Sequence, residues 1–229
     1  MKAPIELLEE VAGVLERASI QGTFTGGAIL PLLVEAAVAA ELRPTFDIDV
    51  IVRAGSYAEY QAQCRPLVGE GFTPGQEEGD PMCRFRRAGV VLDVMPTPYT
   101  GVGTDNPWFA LAMETATQVE LPGGRWIQMV SAPLYLVTKI AAFNGRGSAD
   151  YFGSKDMEDI VALLDGRTTL GEECRGGDRT VAAFAGSWAE TMMERDDLRD
   201  VLAAHVSRSG GADRWRVVLE RLRFLAGLR

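Results

Sequence analysis

The chain has 229 residues, of which 47% are hydrophobic and 24% are charged, and its formal net charge is −9. This composition is typical of a globular protein with a buried core, and the negative charge argues against a protein that coats nucleic acid. The N-terminal segment lacks the apolar stretch of a signal peptide, and no apolar run reaches membrane-spanning length, so we expect a cytoplasmic protein without a membrane partner.

Hydrophobic periodicity and turn residues predict a mixture of helices and strands in the first half of the chain. In order, we expect a helix over residues 5–18, a strand over 21–25, a helix over 28–40, a strand over 46–52 and a helix over 56–66. Further strands are expected over residues 71–73, 82–87, 90–95, 119–121 and 126–130, with a short helix over 108–115. Glycine-containing turns at 88–89 and 122–125 predict two hairpins among these strands.

From Ser131 onward the pattern predicts helices only, over residues 131–143, 154–164, 179–195, 197–206 and 213–225. A mixed half followed by a helical half predicts an α+β fold. We therefore expect an α/β domain over residues 1–130 and a helical domain over residues 131–229.

Three aspartates lie where buried strands are expected. Asp47 and Asp49 belong to the strand over residues 46–52, and Asp93 lies within the apolar run 90–95. Because side chains alternate along a strand, Asp47 and Asp49 should project to the same face. An unpaired buried carboxylate is costly, so we expect a cation beside them, and their oxygens suit Mg²⁺ or Mn²⁺. A solvent-facing edge strand is the alternative interpretation of Asp47 and Asp49.

A glycine pair, Gly26-Gly27, lies between an expected strand and the N-terminus of an expected helix. Glycine lets the backbone approach a ligand closely, and the amide groups of a helix N-terminus attract phosphate oxygens. Together with the Asp-x-Asp strand, the pair predicts a site for the phosphates of a nucleoside triphosphate.

The order of these motifs resembles the DNA polymerase β-type nucleotidyltransferase superfamily. The resemblance rests on Gly26-Gly27, a helix, residues 43–50 (RPTFDIDV) and the strand-borne Asp93. Residues 139–143, 146–147, 155–156 and 159–164 are similar to the AbiEii-type nucleotidyltransferases, a group that includes type IV toxin–antitoxin toxins and the related MenT-type toxins. The resemblance covers roughly residues 23–164.

This resemblance implies a nucleotidyltransferase-type mixed sheet flanked by helices, followed by a helical region that completes the nucleotide site. It also implies that Gly26 and Gly27 hold the phosphates of the nucleotide. Arg43 is implied as a further nucleotide contact.

The remaining site residues that the resemblance implies are acidic and basic. The carboxylates of Asp47, Asp49 and Asp93 would bind Mg²⁺, and Asp93 would help to deprotonate the acceptor hydroxyl. Lys139 matches a lysine that contacts the nucleotide phosphates. Asp156 matches an acidic residue, which we expect to position Lys139 or another basic group.

The implied activity is the metal-dependent transfer of a nucleoside monophosphate from an NTP to an acceptor, with release of pyrophosphate. In the toxin branch the acceptor is RNA, such as a tRNA 3′ end, and a cognate antitoxin is the partner. A small-molecule or protein hydroxyl is an alternative acceptor, and a non-catalytic nucleotide-binding protein is an alternative function. Basic residues gather at 84–87 and 208–229, and the second segment is a candidate strip for RNA-backbone contacts.

Cysteine and histidine content limits the chemistry further. The three cysteines, Cys64, Cys83 and Cys174, are odd in number and have no CxxC spacing, so neither a zinc site nor a disulfide framework is expected. The single histidine, His205, lies in a helical pattern, where we expect a surface or half-buried residue. Catalysis would therefore depend on carboxylates, lysine, arginine and metal.

Overall fold

The structure is a computed structural model of the chain, and it describes residues 3–98, 100–103, 105–145, 150–206, 211 and 213–228. Residues 146–147 of the sequence resemblance, and Arg208 and Arg229 of the basic C-terminal segment, lie outside the described residues. The chain divides into two compact units, Met1–Ile29 with Arg43–Ser131 and Leu30–Leu42 with Ala132–Arg229. Residues 30–42 thus group with the helices that follow the sheet.

The first part of the chain contains α1 (Pro4–Arg17), β1 (Thr23–Thr25), a 3₁₀ turn (Gly27–Ile29), α2 (Leu30–Leu33), α3 (Ala36–Ala39), β2 (Asp47–Arg53), α4 (Tyr57–Cys64), α5 (Pro66–Gly69), β3 (Thr73–Pro74), β4 (Arg84–Arg87), β5 (Val90–Thr97), α6 (Phe109–Glu114), β6 (Thr117–Glu120) and β7 (Trp126–Met129). The second part contains α7 (Ala132–Gly145), α8 (Lys155–Gly166), α9 (Leu170–Gly176), α10 (Arg179–Met193), α11 (Leu198–His205) and α12 (Trp215–Ala226). This order confirms the predicted α+β class.

The described strands of the first unit form one mixed sheet in the order β3-β4-β5-β2-β1-β7-β6. β2 runs parallel to β5 and β1 runs parallel to β7, while the other neighbouring strands are antiparallel. At the start of β2, Ile48 and Val50 are fully buried and alternate with the half-buried Asp47 and Asp49. Burying each large aliphatic side chain stabilises the fold by roughly 1.5–3 kcal/mol, and the same alternation turns both carboxylates to the opposite face.

Helix α1 covers part of this sheet. Its residues Leu8, Val11 and Val14 are completely buried, and the helix contacts both β2 and the 3₁₀ turn. Pro4 occupies the first turn, where a proline loses no intrahelical hydrogen bond. The amphipathic pattern that predicts a helix over residues 5–18 is therefore confirmed.

Local turn and cap signals are also confirmed. The Ser56 side chain accepts a hydrogen bond from the Glu59 backbone N–H at 3.2 Å and caps α4, as predicted. Gly89 has a φ of +76° in the tight turn between β4 and β5, which explains why a glycine lies there. This turn fixes the register of the hairpin that carries one of the predicted site residues.

In the second unit, α8 contacts α2, α3, α7, α11 and α12, and α10 contacts α7, α9 and α12. Helix α9 is not predicted from the sequence because Gly171 and Gly176 dilute its short apolar pattern. Every helix within the described ranges is too short or too polar to cross a lipid bilayer.

The prediction of one continuous helix over residues 28–40 is wrong. A 3₁₀ turn is followed by α2 and α3, which are separated at Glu35 because its backbone is extended, with φ −62° and ψ 148°. The Glu35 N–H donates to the Gly166 carbonyl at 2.8 Å instead of continuing a helix. The Leu33 carbonyl accepts from Arg167 at 2.9 Å. The dipole of a long helix behind Gly26-Gly27 is therefore not available to phosphates.

Candidate functional site

A row of charged side chains crosses three neighbouring strands of the sheet. Asp49 on β2 is opposite Asp93 on β5, and Asp93 is opposite Arg84 on β4. Residues opposite each other in a sheet project to the same face, so the three side chains form one row. Asp47 lies two residues before Asp49 and shares that face. The sequence-predicted carboxylates therefore lie on one face of adjacent strands, with an arginine among them.

The Arg84 guanidinium lies between two of these carboxylates. Its Nε and Nη2 donate to the two carboxylate oxygens of Asp93 at 2.8 and 2.6 Å. Nη2 also lies 3.9 Å from the Asp47 Oδ2 atom. The hydrogen bonds to Asp93 raise the pKa of Arg84, so the guanidinium remains charged. The ion pair is well shielded from water, because the Asp93 side chain is only 9% exposed.

A second arginine–aspartate pair supports the first. Arg86 donates to both oxygens of Asp80 at 2.9 and 2.7 Å, and Asp80 Oδ1 lies 3.5 Å from Arg84 Nη1. The hydrogen bond from Arg86 lowers the pKa of Asp80 to about 2, so this carboxylate is ionised at neutral pH. At neutral pH Asp80 is therefore an anion beside Arg84.

The carboxylates of the row offer some of the ligands that a hard divalent cation needs. The Asp47 side chain is 48% exposed and thus accessible to a ligand. Mg²⁺ is commonly bound through one or two carboxylates together with substrate phosphates, which suits Asp47 and Asp49. Both oxygens of Asp93 accept from Arg84, and among the described residues no three His, Cys, Asp or Glu side chains are grouped as a metal cage requires. The three-carboxylate metal site thus stays a prediction, and Arg84 Nη2 lies between two of its predicted ligands, Asp47 and Asp93.

The predicted glycine pair lies directly beside Asp49. Gly26 has a φ of +74°, and a Cβ added to it would lie 1.8 Å from the Asp49 Oδ2 atom. A Cβ on Gly27 would lie 2.9 Å from the Thr45 Oγ1 atom, which accepts a hydrogen bond from Arg43 at 3.4 Å. The two glycines therefore let a carboxylate and a hydroxyl pack against the backbone. Gly26, Gly27 and Arg43 are brought together here, and their contact with phosphates stays a prediction.

Lys139 and Asp156 lie in the helical unit, on α7 and α8. The Lys139 ammonium is 2.7 Å from Asp159 Oδ2 and 3.5 Å from Asp156 Oδ1, and all three side chains are at most 14% exposed. Lys139 also lies 5.5 Å from the centre of the Tyr135 ring. A carboxylate does position Lys139, but the nearer one is Asp159. Asp156 and Asp159 share a helix face because they are three residues apart.

The basic run at residues 84–87 is neutralised within the sheet unit. Besides the two pairs already described, Arg87 donates to Glu10 at 2.5 Å and to the Glu70 carbonyl at 3.0 Å. The Arg87 guanidinium also lies 4.7 Å from the centre of the Phe72 ring. The run is therefore part of the internal packing of the sheet unit.

The described arginines of the C-terminal segment also have partners within the helical unit. These contacts are Arg214 with Asp165 at 2.7 Å, Arg216 with Asp213 at 3.1 Å, Arg221 with the Asp165 carbonyl at 2.7 Å and Arg223 with Glu220 at 2.5 Å. Two of the four arginines, Arg214 and Arg221, contact Asp165, a buried residue near the end of α8. The segment thus offers a weaker strip for RNA-backbone contacts than its sequence suggests.

The single histidine is a half-buried helix residue, as the sequence predicts, and the described cysteines lie in the core. All three cysteines are buried free thiols. Burial, together with the nearby charges of Asp93 and Asp49, raises the pKa of the Cys83 thiol to about 12. His205 is half-buried, with Nε2 2.7 Å from the Tyr151 carbonyl oxygen, to which it donates. None of these groups is placed as a nucleophile or a base.

Sequence reasoning missed Arg84, although a signal for it exists. The two-residue turn at Ala88-Gly89 pairs position 87 with 90 and therefore 84 with 93. A basic residue opposite a buried aspartate in such a hairpin predicts an ion pair across the strands. Thr45 has no comparable signal, since its position depends on how the chain returns to the sheet after residue 42.

No protein-family model and no curated protein sequence matches the chain. Among solved structures, it is similar to an antigenic nucleotidyltransferase-like protein from Paracoccidioides brasiliensis, with 19% identity and a TM-score of 0.50 over 90% of this chain and 95% of that chain. It is also similar to the antibiotic-resistance factor ANT(2'')-Ia, with 14% identity and a TM-score of 0.48 over 82% of this chain and 92% of that chain. The first likeness shows that the fold is nucleotidyltransferase-like, as predicted.

Proposed function

We propose that this protein is a metal-dependent nucleotidyltransferase that moves a nucleoside monophosphate from an NTP to an acceptor hydroxyl. The observation that carries the proposal is the packing of the Asp49 carboxylate against Gly26 in the same row as Asp93, with the half-buried, accessible Asp47 beside it. Carboxylates next to a glycine-lined backbone are the groups that a metal-bound triphosphate needs. The nucleotidyltransferase-like fold supports this assignment.

Each carboxylate of the row has a role in the proposal, and so has the glycine pair beside it. Asp47 and Asp49 would hold Mg²⁺ or Mn²⁺, which when bound offsets the charge of the triphosphate and of the leaving pyrophosphate. Gly26 and Gly27 would let phosphate oxygens approach the backbone. Asp93 would accept the proton of the acceptor hydroxyl or complete the metal site.

Arg43 and Lys139 are proposed as nucleotide contacts. Arg43 is half-buried beside Thr45 and directs a nitrogen at the Thr45 hydroxyl, so its guanidinium is already held next to Gly27. Lys139 is held by Asp159 and Asp156 within the helical unit, and the sequence resemblance assigns it to phosphates. The two carboxylates hold the Lys139 ammonium in place, and a positioned ammonium suits a phosphate ligand.

The acceptor that the sequence resemblance favours is RNA, with a tRNA 3′ end as the specific site and a cognate antitoxin as the partner of an AbiEii-type toxin. A small-molecule hydroxyl is the second candidate. It is favoured by the internal pairing of the described arginines at 84–87 and 214–223, which leaves less positive charge for a polyanion.

The proposal is tested by incubating the full chain with Mg²⁺ and each labelled NTP, in separate reactions with total tRNA, a hydroxyl-rich aminoglycoside and a protein mixture. We expect transfer to one acceptor class. The variants Asp47→Asn and Asp49→Asn keep the side-chain shape but lose the charge, and we expect them to reduce transfer about 10²-fold or more, because a metal ligand contributes several kcal/mol.

A matched control is Glu120→Gln, which removes an exposed acidic charge from edge strand β6 of the same sheet. It should transfer label at the wild-type rate. Undiminished transfer by both Asn variants would refute the metal assignment. A rise in Tm with Mg²⁺ and NTP, without transfer to any acceptor, would instead support the non-catalytic nucleotide-binding protein.

A further inference from the structure

We propose that Arg84 is an internal counter-cation that holds Asp93 until a divalent metal displaces it, so that metal binding and the release of Arg84 from Asp93 are coupled. The inference rests on the proposed metal-dependent function. It assigns a positioning residue that is outside the glycine pair and the Asp-x-Asp strand.

The position of one nitrogen atom supports this role. Arg84 Nη2 is 2.6 Å from Asp93 Oδ2 and 3.9 Å from Asp47 Oδ2, so a positive charge already lies between two predicted metal ligands. A metal bridging these oxygens would need the same space. Because Arg84 brings one positive charge and Mg²⁺ brings two, the metal offsets the repulsion among three neighbouring carboxylates more fully.

The two cations also compete for the space beside Asp93. Both Asp93 oxygens accept from Arg84 in a bidentate ion pair, which directs their lone pairs toward the planar guanidinium. A carboxylate has about four lone-pair sites, so Asp93 keeps lone pairs that Arg84 does not use, and the conflict is one of space. Arg84 Nη2 lies between Asp93 Oδ2 and Asp47 Oδ2, so a metal held by these two carboxylates would have to displace it.

Arg84 has a second acceptor within reach after its release. Asp80 Oδ1 lies 3.5 Å from Arg84 Nη1, and two hydrogen bonds from Arg86 hold the Asp80 carboxylate in place. A carboxylate has about four lone-pair sites, so Asp80 can accept from both arginines. Displacement from Asp93 therefore does not leave the guanidinium without a partner.

An ordinary structural ion pair is the competing explanation, and the same strand contains a matched example of one. Arg86 lies two residues after Arg84 on β4 and makes a bidentate pair with Asp80 of similar geometry. If Arg84 served only the hairpin, removing either arginine would change stability alone. If it competes with the metal, only its own removal should change metal affinity.

The test measures binding of Mn²⁺ alone to the full chain, by electron paramagnetic resonance of the free ion. We compare wild type, Arg84→Gln, Arg86→Gln and the double variant Arg84→Gln/Asp93→Asn. We expect Arg84→Gln to bind Mn²⁺ about tenfold more tightly than wild type, which lies within the usual range of coupling between two sites. Arg86→Gln should bind as wild type does, and the gain should disappear in the double variant.

Melting temperatures with and without Mn²⁺ provide a second measurement, which reports the stability of each variant as well as its metal binding. Arg84→Gln leaves a shielded Asp93 carboxylate without its counter-cation, so without metal it should melt below wild type, and Mn²⁺ should raise its Tm more than that of wild type. Arg84→Lys keeps a charge but lacks the bidentate fork, so its Mn²⁺ affinity should be intermediate.

Several results would overturn the inference. Equal Mn²⁺ affinities of wild type and Arg84→Gln would do so while leaving the proposed transfer reaction intact. An equal gain in Arg86→Gln would show a general loss of positive charge instead of competition at Asp93. Absence of Mn²⁺ binding in both wild type and Arg84→Gln at millimolar concentration would remove the metal site and the inference together.

Discussion

Gly26 is the position at which a single added methyl group should disturb the candidate site most directly. Its φ is +74°, and in this left-handed region a residue with a Cβ costs about 1–2 kcal/mol. The added Cβ of Gly26→Ala would lie 1.8 Å from Asp49 Oδ2 and 2.8 Å from the Asp49 Cβ atom. The Asp49 side chain must therefore rotate, or the backbone must shift, in addition to the strain at φ.

The expected magnitude follows from these two terms. Moving Asp49 off its rotamer adds about 0.5–1.5 kcal/mol to the left-handed cost, so Gly26→Ala should lose about 1.5–3.5 kcal/mol of unfolding free energy. For a chain of this length that corresponds to a fall in Tm of roughly 3–14 °C. Nucleotidyl transfer should fall about 10²-fold, because a displacement of about 1 Å at a reacting centre has effects of that size.

The assay combines calorimetry, Mn²⁺ binding and nucleotidyl transfer, with Gly124→Ala as the control. Gly124 also has a positive φ, +82°, but a Cβ added there meets nothing within 4 Å. The control should show the backbone strain alone, with normal Mn²⁺ affinity and transfer. If Gly26→Ala binds Mn²⁺ and transfers nucleotide as well as Gly124→Ala does, Asp49 is not a ligand in the proposed site.

Three further predictions concern ionisation and burial. The hydrogen bond from Arg86 lowers the pKa of Asp80 from 3.8 to about 2, so its contribution to stability is present above about pH 4 and is lost as the pH falls toward 2; the Tm difference between wild type and Asp80→Asn should shrink over that interval. Lys139→Met removes the cation shared by two buried carboxylates and should cost about 3–5 kcal/mol in urea unfolding. Burial raises the pKa of the Cys64 thiol to about 11 and those of the Cys83 and Cys174 thiols to about 12. A disulfide reagent at pH 8 should therefore label these thiols only after unfolding.

Controls and contrary outcomes are specific to each of these predictions. A constant Tm difference from pH 7 to pH 2 would show that Asp80 gains nothing from ionisation. Lys155→Met changes an exposed lysine on the same helix as Asp159, and its free energy of unfolding should stay within about 0.5 kcal/mol of wild type. An equal loss in both lysine variants would contradict the buried cluster of Lys139, Asp156 and Asp159. Rapid labelling of all three thiols in the native protein would contradict their burial.

The features that could be predicted from the sequence are those that depend on neighbouring residues. The shared face of Asp47 and Asp49 follows from strand alternation, and the cap at Ser56 follows from its side chain. The break at Glu35 depends on a carbonyl at Gly166, far along the chain, and no local pattern contains it. Helix propensity over residues 28–40 was overridden by that tertiary hydrogen bond.

The candidate site shows the same division between local and distant information. The carboxylates could be identified because aspartates are rare in apolar strands. The contact between Gly26 and Asp49 depends on the register of β1 against β2, which pairs Thr25 with Asp49 across a long connection. Asp156 and Asp159 both lie within the residues that resemble AbiEii-type proteins. The packing of α7 against α8 places Asp159 nearer to Lys139, and the sequence does not show this packing.

Residues 30–42 belong to the helical unit, and this determines where the chain can be cut to obtain the sheet unit alone. A chain ended at Ser131 would keep the apolar α2 and α3 while losing α8, against which both pack, and would therefore expose a hydrophobic segment to aggregation. Two residues that flank this segment are close within the sheet unit, since a Cβ on Gly27 would lie 2.9 Å from Thr45 Oγ1. A short glycine-rich linker from Ile29 to Arg43, combined with removal of residues 132–229, is therefore the rational route to an autonomous sheet module.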